Sequence, residues 1–205
     1  MTGILNYGVG NILAFERIFK QIDSKILIVN SGEDLDKCDR VILPGVGHFD
    51  VAMKRLNNSG LRDSLDKFIL TENKPLLGIC VGMQMLGYSS DEGEMKGLGY
   101  ILGETKKINI KNLQNKPYLP HMGWNNIHFN KNDTILNEIE NDENFYFLHS
   151  YHFVPKNYSD LICFSIYGEK LSAIVSNNKV YGIQFHPEKS HSQGIQILRN
   201  FSKIY

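Results

Sequence analysis

The sequence predicts an α/β fold in which helices flank a central, mostly parallel sheet and the second half is rich in antiparallel strands. Over residues 1–90, short apolar runs alternate with stretches of helical periodicity, the pattern of parallel strands joined by crossover helices. Later strand-like runs follow one another across turns of hairpin length. Because the chain has no linker, repeat or low-complexity stretch, we expect one domain over residues 1–205.

The individual elements follow from the spacing of the apolar residues. In the first half we predict strands at 3–5, 25–29, 41–43 and 75–79, and helices at 12–19, 51–56 and 61–70. In the second half we predict strands at 99–102, 106–110, 145–148, 161–166, 173–175 and 180–185, and a closing helix at 192–202.

Composition excludes several classes of protein. The chain balances 22 Lys and Arg against 22 Asp and Glu and is 42% hydrophobic, which excludes general disorder and argues against binding to nucleic acid. Since it shows neither a secretory signal nor an apolar run of about 18 residues, we expect a cytoplasmic protein without a membrane partner. Cys38, Cys80 and Cys163 form no CxxC pair, so neither a disulfide framework nor a zinc site is expected.

One cysteine lies in a setting that favours reactivity. Gly78-Ile79-Cys80-Val81-Gly82 ends a predicted strand and precedes a helical pattern, which is the spacing of a nucleophile elbow. The start of a helix favours a thiolate, because the helix dipole and free N–H groups stabilise negative charge there. A buried core cysteine between two turn glycines explains the same residues equally well.

A histidine and a glutamate supply the partners that a nucleophilic cysteine requires. His186 and Glu188 flank Pro187 after an apolar run, and in an extended segment residues i and i+2 point to the same face. A carboxylate beside an imidazole fixes its tautomer and stabilises its cation. A surface turn with a solvated glutamate is the alternative.

A glycine-rich loop follows the predicted strand at 41–43. In Pro44-Gly45-Val46-Gly47, backbone N–H groups at Val46 and Gly47 can face an oxyanion together with the N–H of Val81. A plain turn is the other interpretation. The glycines of Tyr7-Gly8-Val9-Gly10 match no complete phosphate loop, so we expect no nucleotide cofactor.

These motifs together resemble the class I (triad) glutamine amidotransferases. The likeness rests on residues 44–47, 78–84 and 184–188, and it extends from residue 3 to about residue 201. It implies the family's α/β fold and a Cys80–His186–Glu188 triad that hydrolyses L-glutamine through a γ-glutamyl thioester. It also implies that Val46, Gly47 and Val81 form the oxyanion hole, and that no cofactor or metal takes part.

The resemblance further assigns residues to the substrate and to a partner protein. The substrate positions are Gln84, Glu92, His149, Ser150 and Tyr151, with Glu92 as the acceptor for the α-ammonium group. Within the family, residues 7–11, 120–125, 149–151 and 187–190 look like glutaminase subunits of histidine biosynthesis, which form heterodimers and pass ammonia to a (β/α)8-barrel cyclase subunit. The partner-facing strip would comprise His121, Met122, Gly123, Trp124 and Asn125.

Two further expectations concern Trp124 and the glycines of the loop at 44–47. Trp124 could equally be a core anchor. Gly45 and Gly47 suggest a loop whose peptide can flip, so we expect partner binding to set the oxyanion geometry.

Three alternative functions remain open from the sequence alone. A paralogous subunit could supply ammonia for amidination of a bacterial surface sugar, which the polar stretch at 111–116 and the segment at 151–153 do not exclude. A catalytically inactive interaction subunit is disfavoured by the intact Cys80, His186 and Glu188. A cysteine hydrolase without an ammonia acceptor is disfavoured by the strip at 120–125.

Overall fold

The computed structural model describes residues 1–22, 24–113 and 118–205. Residues 114–116 of the polar stretch therefore lie outside the described part. The strands are β1 (Thr2–Leu5), β2 (Ile26–Val29), β3 (Arg40–Gly45), β4 (Leu76–Cys80), β5 (Gly103–Lys107), β6 (His121–Asn126), β7 (His128–Phe129), β8 (Asn144–His149), β9 (Tyr151–Pro155), β10 (Leu161–Tyr167), β11 (Glu169–Asn177) and β12 (Val180–Ile183).

The helices occupy the connections of the first half and the end of the chain. They are α1 (Ile12–Gln21), α2 (Gly32–Asp36), α3 (Phe49–Asn58), α4 (Arg62–Asp66, continued by a π turn at Lys67–Thr71), α5 (Val81–Gln84) and α6 (His191–Phe201). Among the described residues, no helix is long and apolar enough to cross a bilayer.

The central sheet has the strand order β2-β1-β3-β4-β12-β11-β10-β7. Pairing is parallel from β2 to β12 and antiparallel from β12 to β7, which confirms the predicted fold class. Every residue of β1, β3, β4 and β12 is buried. These strands therefore read as continuous apolar runs rather than as alternating patterns, because helices cover both faces of a parallel sheet.

Two of the predicted strands need correction. Residues 99–102 form no strand: Gly99 and Ile101 donate backbone hydrogen bonds to the Gly87 and Leu86 carbonyls, and of this run only Ile101 is buried. The strand predicted at 106–110 is Gly103–Lys107, displaced toward the N-terminus because it pairs with β9.

The sequence patterns also missed α2, β6, β7 and β9. Of these, β6 and β9 belong to separate two-stranded ribbons, in which β6 pairs with β8 and β9 pairs with β5. Both strands contain polar residues within the ribbon, so their spacing lacks the alternation that indicates a strand.

Three glycines allow the turn from β4 into α5 to pack directly on β3. A Cβ atom on Gly82 would lie 2.0 Å from the Leu43 carbonyl oxygen, and one on Gly45 would lie 2.2 Å from the Gly82 nitrogen. A Cβ on Gly78 would lie 2.5 Å from the Gly82 carbonyl oxygen. Since all of these neighbours are backbone atoms, no side-chain rotation can make room.

We predict that Gly82→Ala lowers the free energy of unfolding by more than about 3 kcal/mol, since overpacking that cannot relax lies at the upper end of such costs. Gly60→Ala is the matched control, because Gly60 has a φ of 77° but open space around it. Gly60→Ala should lower the free energy of unfolding only by the cost of placing a side chain on a left-handed backbone conformation, about 1–2 kcal/mol. Urea denaturation of both variants measures the difference, and equal losses would contradict the steric explanation.

Candidate active site

Cys80 occupies the sharp turn between β4 and α5. Its φ of 54° and ψ of −112° are unusual for a residue with a side chain, and they are held by the glycine packing described above. The residue is 4% exposed. Because α5 begins immediately at Val81, the thiol lies at the start of that helix, as the elbow spacing predicts.

His186 and Glu188 meet immediately after β12. The Glu188 Oε1 atom lies 2.8 Å from His186 Nδ1, and both side chains are 5% exposed. His186 is extended, as predicted, but the extended segment does not continue, since Pro187–Lys189 is a 3-10 turn that brings the two side chains together. A backbone hydrogen bond of 2.8 Å from His186 N–H to the Tyr146 carbonyl holds the turn against β8.

The environment of His186 favours its cation. Burial lowers the pKa of the imidazole, but hydrogen bonds and charge interactions with Cys80 and Glu188 outweigh it and raise the pKa to about 10. The Glu188 carboxylate accepts from Nδ1–H, so the Nε2 side is the one that faces the thiol. A protonated imidazole beside Cys80 is the arrangement that stabilises a thiolate nucleophile.

A cavity of about 490 Å³ opens over the thiol. It is lined by Val46, Gly47, Cys80, Val81, Gln84, Glu92, His149, Ser150, Tyr151 and His186, so the structure brings together ten of the predicted catalytic, oxyanion and substrate residues. Glu188 lies behind His186 and does not line the cavity. Pro120, Leu148 and Lys189 also line it. Sequence reasoning assigned no substrate role to these three: Leu148 lies in no motif, and Pro120 and Lys189 lie in motifs that indicate likeness to the family and not substrate contact.

The loop at Val46 and Gly47 is packed at one end and open at the other. Gly45 is pressed against Gly82, whereas a Cβ on Gly47 would meet nothing within 4 Å. Gly47 has a φ of +85° and Val46 is 42% exposed. The loop thus lines the cavity and has open space beside Gly47.

Two of the predicted substrate residues are held by specific hydrogen bonds. The Gln84 side-chain amide donates to the Tyr151 carbonyl at 2.9 Å and to Gln184 Oε1 at 3.1 Å, so it supports the cavity wall. Glu92 Oε2 accepts from the Phe49 N–H at 2.8 Å, which ties this carboxylate to the first turn of α3.

His149 belongs to a buried chain of hydrogen bonds. Its Nδ1 donates to the Tyr151 carbonyl at 2.8 Å, so its Nε2 accepts from His121 Nδ1 at 2.9 Å. The Asn125 side-chain amide in turn donates to His121 Nε2 at 3.1 Å. Burial lowers the pKa of His149 to about 3 and that of His121 to about 4, so both rings are neutral at pH 7.

The strip predicted to face a partner is only partly accessible. His121 is 3% exposed and hydrogen-bonded inside the protein, so in this chain its ring supports the strip from within. Met122 and Trp124 are 63% and 47% exposed, so Trp124 is not a core anchor. The indole stacks on His191 with ring centroids 4.9 Å apart. Gly123 and Asn125, on either side of Trp124 in the chain, are half-buried.

Comparison with known proteins matches the chain to one family. The model of the family "Glutamine amidotransferase class-I" matches residues 6–204. The chain belongs to this family. It is 42% identical over 204 residues to the imidazole glycerol phosphate synthase subunit HisH of Leptospira borgpetersenii, covering 100% of both chains. The subunit of the same name from Bdellovibrio bacteriovorus is 43% identical over 205 residues, again covering 100% of both.

Solved structures agree on the fold. PurLQS from Thermotoga maritima superposes with a TM-score of 0.72 at 19% identity, covering 98% of this chain and 96% of that one. A glutamine amidotransferase from the same organism gives a TM-score of 0.63 at 18% identity, covering 91% of this chain and 75% of that one. At these identities the likeness extends to the fold alone.

We predict that the imidazole of His186 titrates well above its ordinary value and that Glu188→Gln lowers its pKa, because a neutral amide stabilises the cation less. NMR titration of protein labelled with ¹⁵N-histidine measures this directly. His149 is the internal control, since its buried ring should stay neutral down to about pH 3. An unchanged pKa of His186 in Glu188→Gln would contradict the assigned pairing.

The raised pKa of His186 also predicts that the stability of the protein depends on pH. The folded-state pKa of about 10 exceeds the unfolded value of about 6.5. The contribution of protonated His186 is therefore complete below about pH 6.5 and is lost as the pH rises through about 10. Urea denaturation from pH 7 to 10 should show a steeper loss of stability in the wild type than in Glu188→Gln.

Proposed function

We propose that this chain is the glutaminase subunit of imidazole glycerol phosphate synthase, a cytoplasmic protein in which residues 1–205 form a single glutaminase domain. The observation that carries the proposal is the buried Cys80–His186–Glu188 group beneath a cavity lined by the other residues of the family motifs. Membership of the family and whole-length relatives bearing that subunit's name support it.

The first half of the reaction releases ammonia. The Cys80 thiolate attacks the side-chain amide carbon of glutamine, so an S–C bond forms and the carbonyl electrons move onto oxygen. The backbone N–H of Val81 and the Val46–Gly47 segment stabilise that oxyanion. When the C–N bond breaks, His186 gives its Nε2 proton to the leaving nitrogen, which departs as ammonia and leaves a γ-glutamyl thioester.

The second half regenerates the thiolate. His186, now neutral, takes a proton from water as the water oxygen attacks the thioester carbonyl. The S–C bond then breaks, glutamate leaves, and the imidazolium again faces a thiolate. Glu188 holds Nδ1–H throughout, which keeps Nε2 directed at the reacting atoms.

The rest of the cavity holds the amino-acid end of the substrate. Glu92 offers a carboxylate to the α-ammonium group, and residues 149–151 form another part of the cavity wall. The buried hydrogen bonds from Gln84 and His149 both end on the Tyr151 carbonyl, so they fix the position of that wall.

Ammonia then passes to a separate chain. The partner is a (β/α)8-barrel cyclase subunit, with which this chain forms a heterodimer through a face that includes the exposed Met122 and Trp124. The open setting of Gly47 supports a role for the partner in setting the oxyanion geometry, so the isolated chain should hydrolyse glutamine slowly.

The chemistry is tested by covalent labelling with a diazo-ketone analogue of glutamine in the presence of the barrel subunit. We expect one label per chain at Cys80, identified by peptide mass spectrometry, and none in Cys80→Ala. Cys163→Ala is the matched control, because Cys163 is also buried but lies in β10 and outside the cavity lining. Absence of labelling in the wild-type complex would contradict the enzymatic assignment and indicate an inactive interaction subunit.

The pathway is tested by deleting the gene. We expect histidine auxotrophy that is relieved by the wild-type gene but not by one encoding Cys80→Ala. Growth without histidine together with an altered surface glycan would contradict the assignment and indicate amidination of a surface sugar instead.

A further inference from the structure

The loop that carries Glu92 is fastened to the first turn of α3 by hydrogen bonds in both directions. The Phe49 N–H donates to Glu92 Oε2 at 2.8 Å. In return, the N–H groups of Glu94 and Met95 donate to the two oxygens of Asp50, each at 3.0 Å. We call the Asp50 carboxylate and the backbone of residues 93–95 the Asp50 clasp.

Gly93 fits the clasp for a steric reason. A Cβ on Gly93 would lie 2.0 Å from Asp50 Oδ1 and 2.3 Å from its Cγ. The φ of Gly93 lies outside the left-handed region, so the residue is not required by backbone conformation. The loop therefore rests directly on the carboxylate, and Asp50 and Gly93 are complementary in shape.

The clasp holds a charged group. Hydrogen bonds from the Glu94 and Met95 backbone lower the pKa of Asp50, so its carboxylate is ionised at neutral pH. Its own N–H donates to His48 Nδ1 at 3.2 Å, which fixes the start of α3. Hydrogen bonds from N–H groups to an ionised carboxylate are stronger than those between neutral partners.

The clasp joins two walls of the cavity. On one side, Phe49 is fully buried and follows Val46 and Gly47 closely along the chain. On the other side, Glu92 lines the same cavity as Cys80. A shift of the loop relative to α3 would therefore move the Glu92 carboxylate relative to the thiol.

We propose that Asp50 is a positioning residue for substrate recognition, which holds Glu92 at the distance from Cys80 that glutamine spans. Asp50 does not line the cavity and acts through the loop. The inference rests on the proposed glutaminase function, and it assigns a contribution to binding of the amino-acid end rather than to cleavage of the amide.

The test is steady-state glutamine hydrolysis by the complex with the barrel subunit, comparing the wild type with Asp50→Asn. An amide offers an acceptor to only one of the two N–H groups, so the loop should shift. We expect KM for glutamine to rise roughly tenfold, a loss of about 1.4 kcal/mol in binding, while kcat stays within about twofold. Asp63→Asn is the matched control, since Asp63 is an exposed acidic residue in the first turn of α4.

A purely structural role would lower the folded fraction without moving KM, so active-site titration with the diazo-ketone normalises each preparation. If Asp50→Asn does not fold, Asp50→Ser replaces it, because serine is accepted at a helix start but is too short to hold both N–H groups. Unchanged KM, or a loss confined to kcat, would overturn the proposal.

A double-mutant cycle tests the contact itself. Gly93→Ala should raise KM because its methyl group displaces the loop from Asp50. In Asp50→Ala the obstacle is absent, so adding Gly93→Ala should change KM less than about twofold. Fully additive effects of the two substitutions on KM would contradict a contact between Gly93 and Asp50 that positions the loop. An active wild-type complex separates these outcomes from failure of the proposed function, since a wild-type complex that hydrolyses no glutamine would overturn both.

Discussion

The site depends on one contact, the packing of backbone against backbone where β3 meets the turn from β4 into α5. Gly82 lies against the Leu43 carbonyl, and Gly45 lies against the Gly82 nitrogen. This contact holds Cys80 in its unusual backbone conformation. It also accompanies the pairing of Gly45 with Cys80 between β3 and β4. The proposed oxyanion loop and the proposed nucleophile are therefore placed by the same close approach, which leaves no space for any side chain.

Burial lowers the pKa of each histidine around the cavity, but the net shift differs because their partners differ. His121 and His149 hydrogen-bond to each other and to neutral groups, so burial keeps both rings uncharged. His186 is just as buried but faces Glu188 and Cys80, and its pKa rises. Glu188 itself is a buried carboxylate whose Oε2 lacks a hydrogen-bond partner in the described part of the chain, so the imidazolium is the group that compensates its charge.

Local features of the site were predictable from the sequence, whereas long-range contacts were not. The elbow at Cys80 and the pair His186–Glu188 follow from spacings of two to four residues, and the fold class follows from apolar runs. The contact between His121 and His149 spans 28 residues, and that between Asp50 and Glu94 spans 44. Such pairs are set by tertiary packing, so no periodicity in the sequence indicates that His121 is buried.

The raised pKa of His186 also bears on how one imidazole serves both halves of the proposed reaction. Part of the increase in pKa comes from Cys80, through a hydrogen bond and a charge interaction. When the thiolate becomes a thioester, that anionic partner disappears while burial continues to lower the pKa. The pKa of His186 must therefore fall in the acyl-enzyme, just when a neutral base is needed to activate water. In the proposed reaction, the acid and base roles of His186 thus alternate with the charge on Cys80, while the hydrogen bond to Glu188 keeps the ring in place for both.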